Sequence, residues 1–269
     1  MLEFRSVSFS YGGDSPLVLK DVSFTLRRGE FISIIGSNGS GKSTIARLAN
    51  GLLLSSEGDV FLEGKSLKDF DVNRIAKFKV GVVFQNPDNQ FVGITVEDDL
   101  AFGLENMGLD RSEIRERILD IADKLNLKTF LHFPPTLLSG GEKQKVALAS
   151  VLVLEPDFIV FDEVTSLLDP VNRRNTLKLI LKMGEGKGIL YITHHPEETV
   201  FSDNIIVLND GRIVKTGTPY EVFSDIEFLS SVNVSNLNEA ILSKKLLDKK
   251  IVNRFSLDLN EIVNELCSN

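Results

Sequence analysis

The chain has 269 residues, with 30 Lys and Arg against 38 Asp and Glu, a net charge of −8 and 42% hydrophobic residues. That length suits one large domain, or a domain with an appendage, and the ordinary globular composition excludes a disordered or fibrous chain. The acidic balance argues against a protein that grips nucleic acid by neutralising phosphates, and one Cys (Cys267) with three His leaves neither an intrachain disulfide nor a zinc cluster to expect.

The first thirty residues read as β-structure. Leu2, Phe4, Val7 and Phe9 lie along one strand, and Val22, Phe24 and Leu26 along a second, Asp21–Leu26. The turn residues Tyr11–Pro16 join them, the pattern of an antiparallel sheet with one wet face. Phe31–Ile35 is a continuous apolar run, as expected of a strand buried on both faces, and a helical stretch follows at Ile45–Gly51. From about 92 to 155 the pattern turns helical, at Glu97–Asn106, Arg111–Leu125 and Lys143–Leu154. Buried strands are expected again at Phe158–Phe161 and Gly188–Thr193, with a further short apolar run at Ile205–Leu208. After Thr218 the helical pattern resumes. It ends in a stripe of Leu259, Ile262, Val263 and Leu266, opened by Asp258 and Glu261 at capping-box spacing. No stretch approaches the roughly 18 apolar residues of a spanning helix. The opening Met-Leu-Glu-Phe-Arg carries no basic-then-apolar signal, so folding in the cytoplasm is expected, with docking on a membrane protein left open.

Between the strand Phe31–Ile35 and the helix after it stand Gly36, Ser37, Asn38, Gly39, Ser40, Gly41, Lys42, Ser43 and Thr44, a complete phosphate-loop pattern in its confirming context. Glycines let successive N–H groups turn inward, and with the helix N-terminus they form an anion nest. Lys42 places a cation on the β- and γ-phosphates, and the Ser43 hydroxyl is a Mg²⁺ ligand. Asp162, at the end of a buried strand, is the expected second metal residue, and Glu163 beside it the group that polarises the attacking water. His194 ends a third apolar strand and is placed to meet the γ-phosphate; His195 is the weaker candidate.

Leu138-Ser-Gly-Gly-Glu142, about 20 residues before Phe158-Ile-Val-Phe-Asp-Glu163, resembles the signature motif of ABC-type ATPases, and the match spans residues 1 to about 222. The resemblance implies that Tyr11 stacks on adenine, that Gln85 contacts Mg²⁺ and the water, that Ser166–Asp169 links two active sites and that His194 is the switch histidine. It also implies that Ser139, Gly140 and Gly141 close on ATP held by a second subunit. That surface is a helix start, with a hydroxyl, bare N–H groups and a positive dipole end.

The run Val83–Gly103 is similar, more narrowly, to the ATPases of energy-coupling factor transporters, which take up vitamins and some metal ions. By that likeness Asn89, Gln90 and Phe91 sit at a groove for a membrane coupling subunit, while a separate membrane component binds the substrate and touches the ATPase only indirectly. Gly217–Pro219 and Glu221–Phe223 resemble that family's exit into its C-terminal helices. Three positions depart from the pattern: Glu142 for Gln, Lys145 for Arg, and Val164 for Ala. They suggest one specialised half of a heterodimer. The expectation is therefore an α/β P-loop NTPase of the ABC type, with a mixed-sheet core, an antiparallel β subdomain and a helical subdomain at about 92–155. These make up a nucleotide-binding domain over 1–222, followed by a helical, dimerising extension over 223–269. It would hydrolyse ATP with Mg²⁺ on the cytoplasmic face of the membrane, bound peripherally and without nucleic acid. The rivals are the ATPase of a binding-protein-dependent importer and a soluble ABC-type ATPase of DNA repair or translation. Neither zinc motifs nor a second such domain, the marks of the latter, occur in the chain.

Overall fold

The computed structural model describes residues 1–12 and 15–268, so Gly13 and Asp14 of the expected turn lie outside the described residues. In chain order the elements begin with β1 (Leu2–Phe9), β2 (Leu19–Leu26), β3 (Phe31–Gly36), α1 (Lys42–Ala49), β4 (Glu57–Leu62), β5 (Lys65–Ser66), α2 (Phe70–Lys79) and β6 (Val80–Val83). Then come α3 (Val96–Asn106), α4 (Arg111–Lys124), α5 (Gly140–Leu152), β7 (Phe158–Asp162), α6 (Pro170–Met183), β8 (Gly188–Ile192), β9 (Asn204–Asn209) and β10 (Arg212–Gly217). The chain closes with α7 (Pro219–Phe223), α8 (Ile226–Ser231), α9 (Asn238–Asp248) and α10 (Leu259–Ser268).

One sheet is antiparallel, in the order β2-β1-β4-β5. The step from Phe4 to Val7 breaks strict alternation, and the structure shows why. The register with β2 shifts there, and Ser6 adopts φ 46°, a bulge that returns Val7 and Phe9 to the buried face. The other sheet runs β10-β9-β3-β8-β7-β6, parallel throughout except for β10 at its edge. Its inner strands β3, β7 and β8 are buried along their whole length, which is what their unbroken apolar runs require. Their carboxyl ends point the same way, so Gly36, Asp162 and the residues just beyond Ile192 and Val83 gather at one end of the sheet.

The sheet's two faces carry different cores. Ile32, Ile34, Val160 and Ile192 pack with Ile45 and Leu48 of α1 and with the antiparallel sheet. Phe31, Phe161 and Tyr191 point the other way, into a core shared with α3, α4 and α5. Beside it, Ile35, Ile205 and Val207 are covered by Val222, Phe223, Leu229 and Leu237 of the C-terminal helices. Each such buried side chain contributes about 1.5–3 kcal/mol over the exposed state, which fastens the extension to the strand that ends in the phosphate loop.

Helix starts follow their caps. α5 begins at Gly140, earlier than the apolar pattern suggests, because Ser139 and Glu142 close a reciprocal cap ahead of it. Asp69 caps α2 through the amides of Asp71 and Val72, and Thr218 caps α7 with Pro219 at the first helical position. The box expected at Asp258 does not close: the Glu261 carboxylate accepts from the Ser256 hydroxyl at 2.8 Å, and that hydroxyl in turn accepts from the Asp258 amide at 3.0 Å. Of the stripe on α10, Ile262 is buried, while Leu259, Val263 and Leu266 are 49%, 46% and 38% exposed.

Candidate active site

The phosphate loop leaves β3 at Gly36, where a Cβ would lie 2.2 Å from the Leu208 carbonyl oxygen, so only glycine fits between the paired strands. At its far end Gly41 has φ 107°, open to glycine alone, and a Cβ there would also meet the Leu19 side chain at 2.6 Å. Asn38 and Gly39 form the exposed crest, and Ser40 is buried with its hydroxyl unpartnered. Lys42 opens α1 with only 5% of its surface exposed. Its Nζ donates to the carbonyls of Gly36 at 3.0 Å and Ser37 at 3.1 Å, turning the cation onto the loop. Burial draws its pKa down, against the pull of the Glu163 and Asp162 carboxylates.

Ser43 donates to Asp162 Oδ1 at 3.1 Å, joining the loop to the end of β7. Burial pushes the Asp162 pKa up, partly offset by that hydrogen bond. Tyr11 lies over the same helix, its hydroxyl 3.1 Å from Thr44 Oγ1 and accepting from Arg47 at 3.2 Å, while 56% of the residue stays exposed. The tyrosine is thus held at its tip and open on its ring.

Glu163 follows β7 in the left-handed region, φ 51°, its amide donating to the Ile192 carbonyl at 2.9 Å. This strained conformation turns the side chain off the strand and into the site. One carboxylate oxygen lies 3.3 Å from both Gln85 Nε2 and His194 Nδ1, and the other 3.9 Å from Lys42 Nζ. Gln85 also donates to Ser166 Oγ at 3.1 Å. His195 turns away: its Nδ1 meets Arg173 at 3.3 Å, its Nε2 is buried without a partner, and burial lowers its pKa.

The expected phosphate-loop residues and the expected signature residues line two different cavities. A cavity of about 440 Å³ is lined by Asn38, Gly39, Gly41, Lys42, Ser43, Thr44, Gln85 and Glu163. Ser139, Gly140 and Gly141 line another, of about 310 Å³, with Glu142, Lys145, Leu167, Leu168, Asp169 and Asn172. The two share no lining residue. The Ser139 hydroxyl and amide both donate to Glu142, at 2.6 and 2.8 Å, so the carboxylate at this departure from the usual Gln makes the helix cap and is held charged by it. Val164 is 1% exposed and packs in the core of the helical face, which accounts for an apolar residue larger than Ala.

Around the stretch after Gln85, Gln90 faces inward, accepting from the Phe84 amide at 3.2 Å and donating to the Ala147 carbonyl at 3.3 Å. Phe91 is half-buried against the helical core and Asn89 exposed, while Val92, Ile94 and Leu137 stand 62%, 83% and 73% exposed. Lys143 on α5 pairs with Asp88 of this stretch at 2.7 Å. One further wall has no counterpart among the expected motifs. Asn233, Val234 and Ser235 line a cavity of about 410 Å³ with Ser37, Asn38, Gln85, Glu163 and His194. Asn233-Val-Ser belongs to no nucleotide-binding motif, and the left-handed φ of 55° at Asn233 marks it as a turn.

The donor set suits a nucleotide with Mg²⁺. A hydroxyl (Ser43), a carboxylate (Asp162) and an amide oxygen (Gln85) are hard oxygen ligands, and the buried Lys42 cation is hydrogen-bonded to loop carbonyls and lies 3.9 Å from the Glu163 carboxylate. Among the described residues no group of three or more His, Cys, Asp or Glu could hold a metal alone, as expected where phosphate and water oxygens complete the shell.

The family described as "ABC transporter" matches residues 19–166. An energy-coupling factor transporter ATP-binding protein of Mycoplasmoides gallisepticum is 42% identical over 269 residues, covering 100% of this chain and 96% of its own. Its counterpart in Geobacillus kaustophilus is 47% identical over 225 residues, 83% of this chain and 80% of its own. Among solved structures, cbiO1 of Clostridium perfringens, part of an ABC transporter complex, aligns with TM-score 0.76 and 33% identity over 90% of this chain and 98% of that one. A bacterial ABC transporter cassette solved as a dimer, in a post-hydrolysis state with ADP and Pi, aligns at TM-score 0.73 and 30% identity over 81% of this chain and 99% of that one.

Proposed function

Because the chain belongs to the ABC transporter family, among the energy-coupling factor transporter ATP-binding proteins, we propose that it hydrolyses MgATP between two such subunits and powers uptake of a vitamin or other micronutrient through membrane partners. It is an ATPase. The observation that carries the two-subunit reading is the separation of the signature cavity from the phosphate-loop cavity. The helix-terminal amides of Gly140 and Gly141, at a surface apart from the chain's own phosphate loop, suit a neighbour's nucleotide.

In this reading Tyr11 stacks on the base, and the loop amides with Lys42 hold the β- and γ-phosphates. Ser43, Asp162 and Gln85 hold Mg²⁺, which when bound neutralises charge on the transferring phosphoryl group. Glu163 accepts a proton from the attacking water, which Gln85 helps place, and His194 meets the γ-phosphate from the adjacent strand end. The neighbour's Ser139–Gly141 then completes the cradle, and hydrolysis releases the closed pair, a population shift driven by the nucleotide. The exposed Val92 and Ile94, in the same stretch as Asn89 and Phe91, offer apolar surface for the helices of a coupling subunit. The Lys143–Asp88 pair connects that surface to the signature helix. The departures Glu142, Lys145 and Val164 favour a different second ATPase over another copy of this chain. No described helix is long and apolar enough to cross a membrane; in this reading, by its likeness to the energy-coupling factor ATP-binding proteins, the chain sits on the cytoplasmic side against its membrane partners.

The test is affinity purification of the tagged protein from native membranes in mild detergent, with mass spectrometry of what co-purifies. A second ABC-type ATPase with a small helical membrane subunit is the expected result. A conventional permease would replace this reading with a binding-protein-dependent importer, and recovery of ribosomal or DNA-bound partners alone would refute transport.

A further inference from the structure

Four residues beyond His194 stands Glu198, a carboxylate only 1% exposed that none of the expected motifs includes. It accepts from three hydroxyls: Thr165 Oγ1 at 2.7 Å, Thr193 Oγ1 at 2.6 Å and Tyr191 OH at 3.0 Å. All three donors are themselves buried, at 1% exposure or less. A group that accepts from three buried hydroxyls fits an ionised carboxylate, and its charge is balanced by Arg173, whose Nε lies 3.7 Å away.

The donors come from different places. Thr165 lies on the loop between Glu163 and Asp169, where Ser166 also meets Gln85. Tyr191 is in β8, and Thr193 follows it directly before His194. The Thr193 hydroxyl also accepts from the His195 amide at 3.0 Å, pinning the backbone on the far side of His194. Arg173, one turn into α6, reaches His195 Nδ1 at 3.3 Å. Tyr191 is held neutral as a donor, its pKa pushed well up by burial and by Glu198 itself.

We propose that Glu198 is a positioning residue for ATP hydrolysis. Its buried carboxylate binds the Glu163–Asp169 loop to the strand end carrying His194, so that base, histidine and inter-site loop move as one body. The inference rests on the roles given above to Glu163 and His194. A buried carboxylate is costly to desolvate. An apolar residue would pack the same space more cheaply, but it would deprive three buried hydroxyls of their shared acceptor and remove the side-chain tie between the Thr165 loop and the strand end, leaving the hydrogen bond from the Glu163 amide to Ile192 as the backbone link. The loops are then oriented by one acceptor, and misplacing a catalytic group by about 1 Å costs about a hundredfold in rate.

The experiment measures ATP turnover, KM for ATP and thermal melting for the full chain in its ATPase dimer. Glu198→Gln keeps the volume but turns an amide donor towards hydroxyls that need an acceptor. Its expected effect is a fall in kcat of about ten- to a hundredfold with KM within about threefold. Thr165→Val is expected to fall similarly and Thr165→Ser to restore the rate. The double variant Glu198→Gln with Thr165→Val should lose no more than the worse single one, since both break one network. Tyr191→Phe, which removes one donor and little volume, gives a milder fall of about threefold and serves if Glu198→Gln folds poorly. Ser202→Ala is the control. It deletes the buried Ser33–Ser202 hydrogen bond, outside this network, and should lower the melting temperature without moving kcat. Wild-type kcat in folded Glu198→Gln, multiplicative losses in the double variant, or an equal kcat loss in Ser202→Ala at matched melting temperature would each overturn the proposal. Glu163→Gln in the same assay separates the two readings. Lost turnover there beside normal turnover in Glu198→Gln overturns the positioning role alone, whereas retained turnover in Glu163→Gln overturns the assignment of the base and the proposal with it.

Discussion

Replacing Glu163 by Gln is expected to move nucleotide affinity and turnover in opposite directions. The amide has the same shape, so it keeps the contact with Gln85, now 3.3 Å from the carboxylate, and loses only the charge. A phosphate oxygen held by Lys42, whose Nζ is 3.9 Å from Glu163, would sit about 5 Å from that charge. At an effective dielectric of about 40 for this partly open site, one unit of repulsion over that distance is about 1.7 kcal/mol, or about 15-fold in affinity. ATP should therefore bind more tightly to Glu163→Gln. Turnover should fall by about 10²- to 10⁴-fold, the usual contribution of a general base, and closed dimers with ATP should accumulate. The fold should change by less than about 1 kcal/mol, since the ion pairs lost are partly solvated. Equilibrium binding of a fluorescent ATP analogue, single-turnover phosphate release and sedimentation velocity with ATP read the three quantities. Turnover within tenfold of the parent, or weaker binding, would refute the reasoning.

The open ring of Tyr11 predicts that Tyr11→Ala weakens ATP binding by about 1 kcal/mol, roughly fivefold, with little change in melting temperature; unchanged affinity would remove it from the adenine site. Asp162 has a raised pKa, and its protonated form cannot ligate Mg²⁺. Affinity for nucleotide with Mg²⁺ should thus fall as pH drops through that pKa, while affinity measured in chelator stays flat; parallel titrations test this. The same shift means that charging Asp162 opposes folding, so its contribution to apo stability is greatest at low pH and is lost as pH rises through the folded pKa. Leu259→Asp with Leu266→Asp alters two exposed residues of α10 and should dissociate dimers formed without ATP while leaving the monomer's melting temperature in place; persistent dimers in sedimentation would show that the stripe is not an interface.

Much of the site was legible because its chemistry fixes residue types at fixed spacing. The phosphate loop, Asp162 and Glu163 lie beside strands whose unbroken apolar runs announce burial on both faces. Elements lacking such runs escaped notice. α2 is half polar and is started by Asp69, and β4 and β5 are short strands on a partly wet sheet. α6 carried a readable start in Asp169-Pro170, a cap followed by a residue suited to the first turn. Tertiary pairings were out of reach: no local pattern shows that Gln90 turns inward, or that Glu198 gathers three hydroxyls from two separate segments. At the start of α10 the Asp258 carboxylate accepts from the Asn260 amide at 2.8 Å, while Ser256 takes both the Asp258 amide and the Glu261 carboxylate that a reciprocal box would have joined.

The tail of the chain is also part of the machine's front wall. Ile35, the last side chain before the phosphate loop, is roofed by Phe223 and its neighbours, and Asn233–Ser235 border the space in front of Ser37 and His194. Removing everything after residue 222 would strip the roof from Ile35, Ile205 and Val207 and open that space to solvent on one side. Exchanging tails between related ATPases would accordingly be a change of catalytic surroundings as well as of assembly, and a chimera should be judged by its phosphate kinetics as much as by the company it keeps.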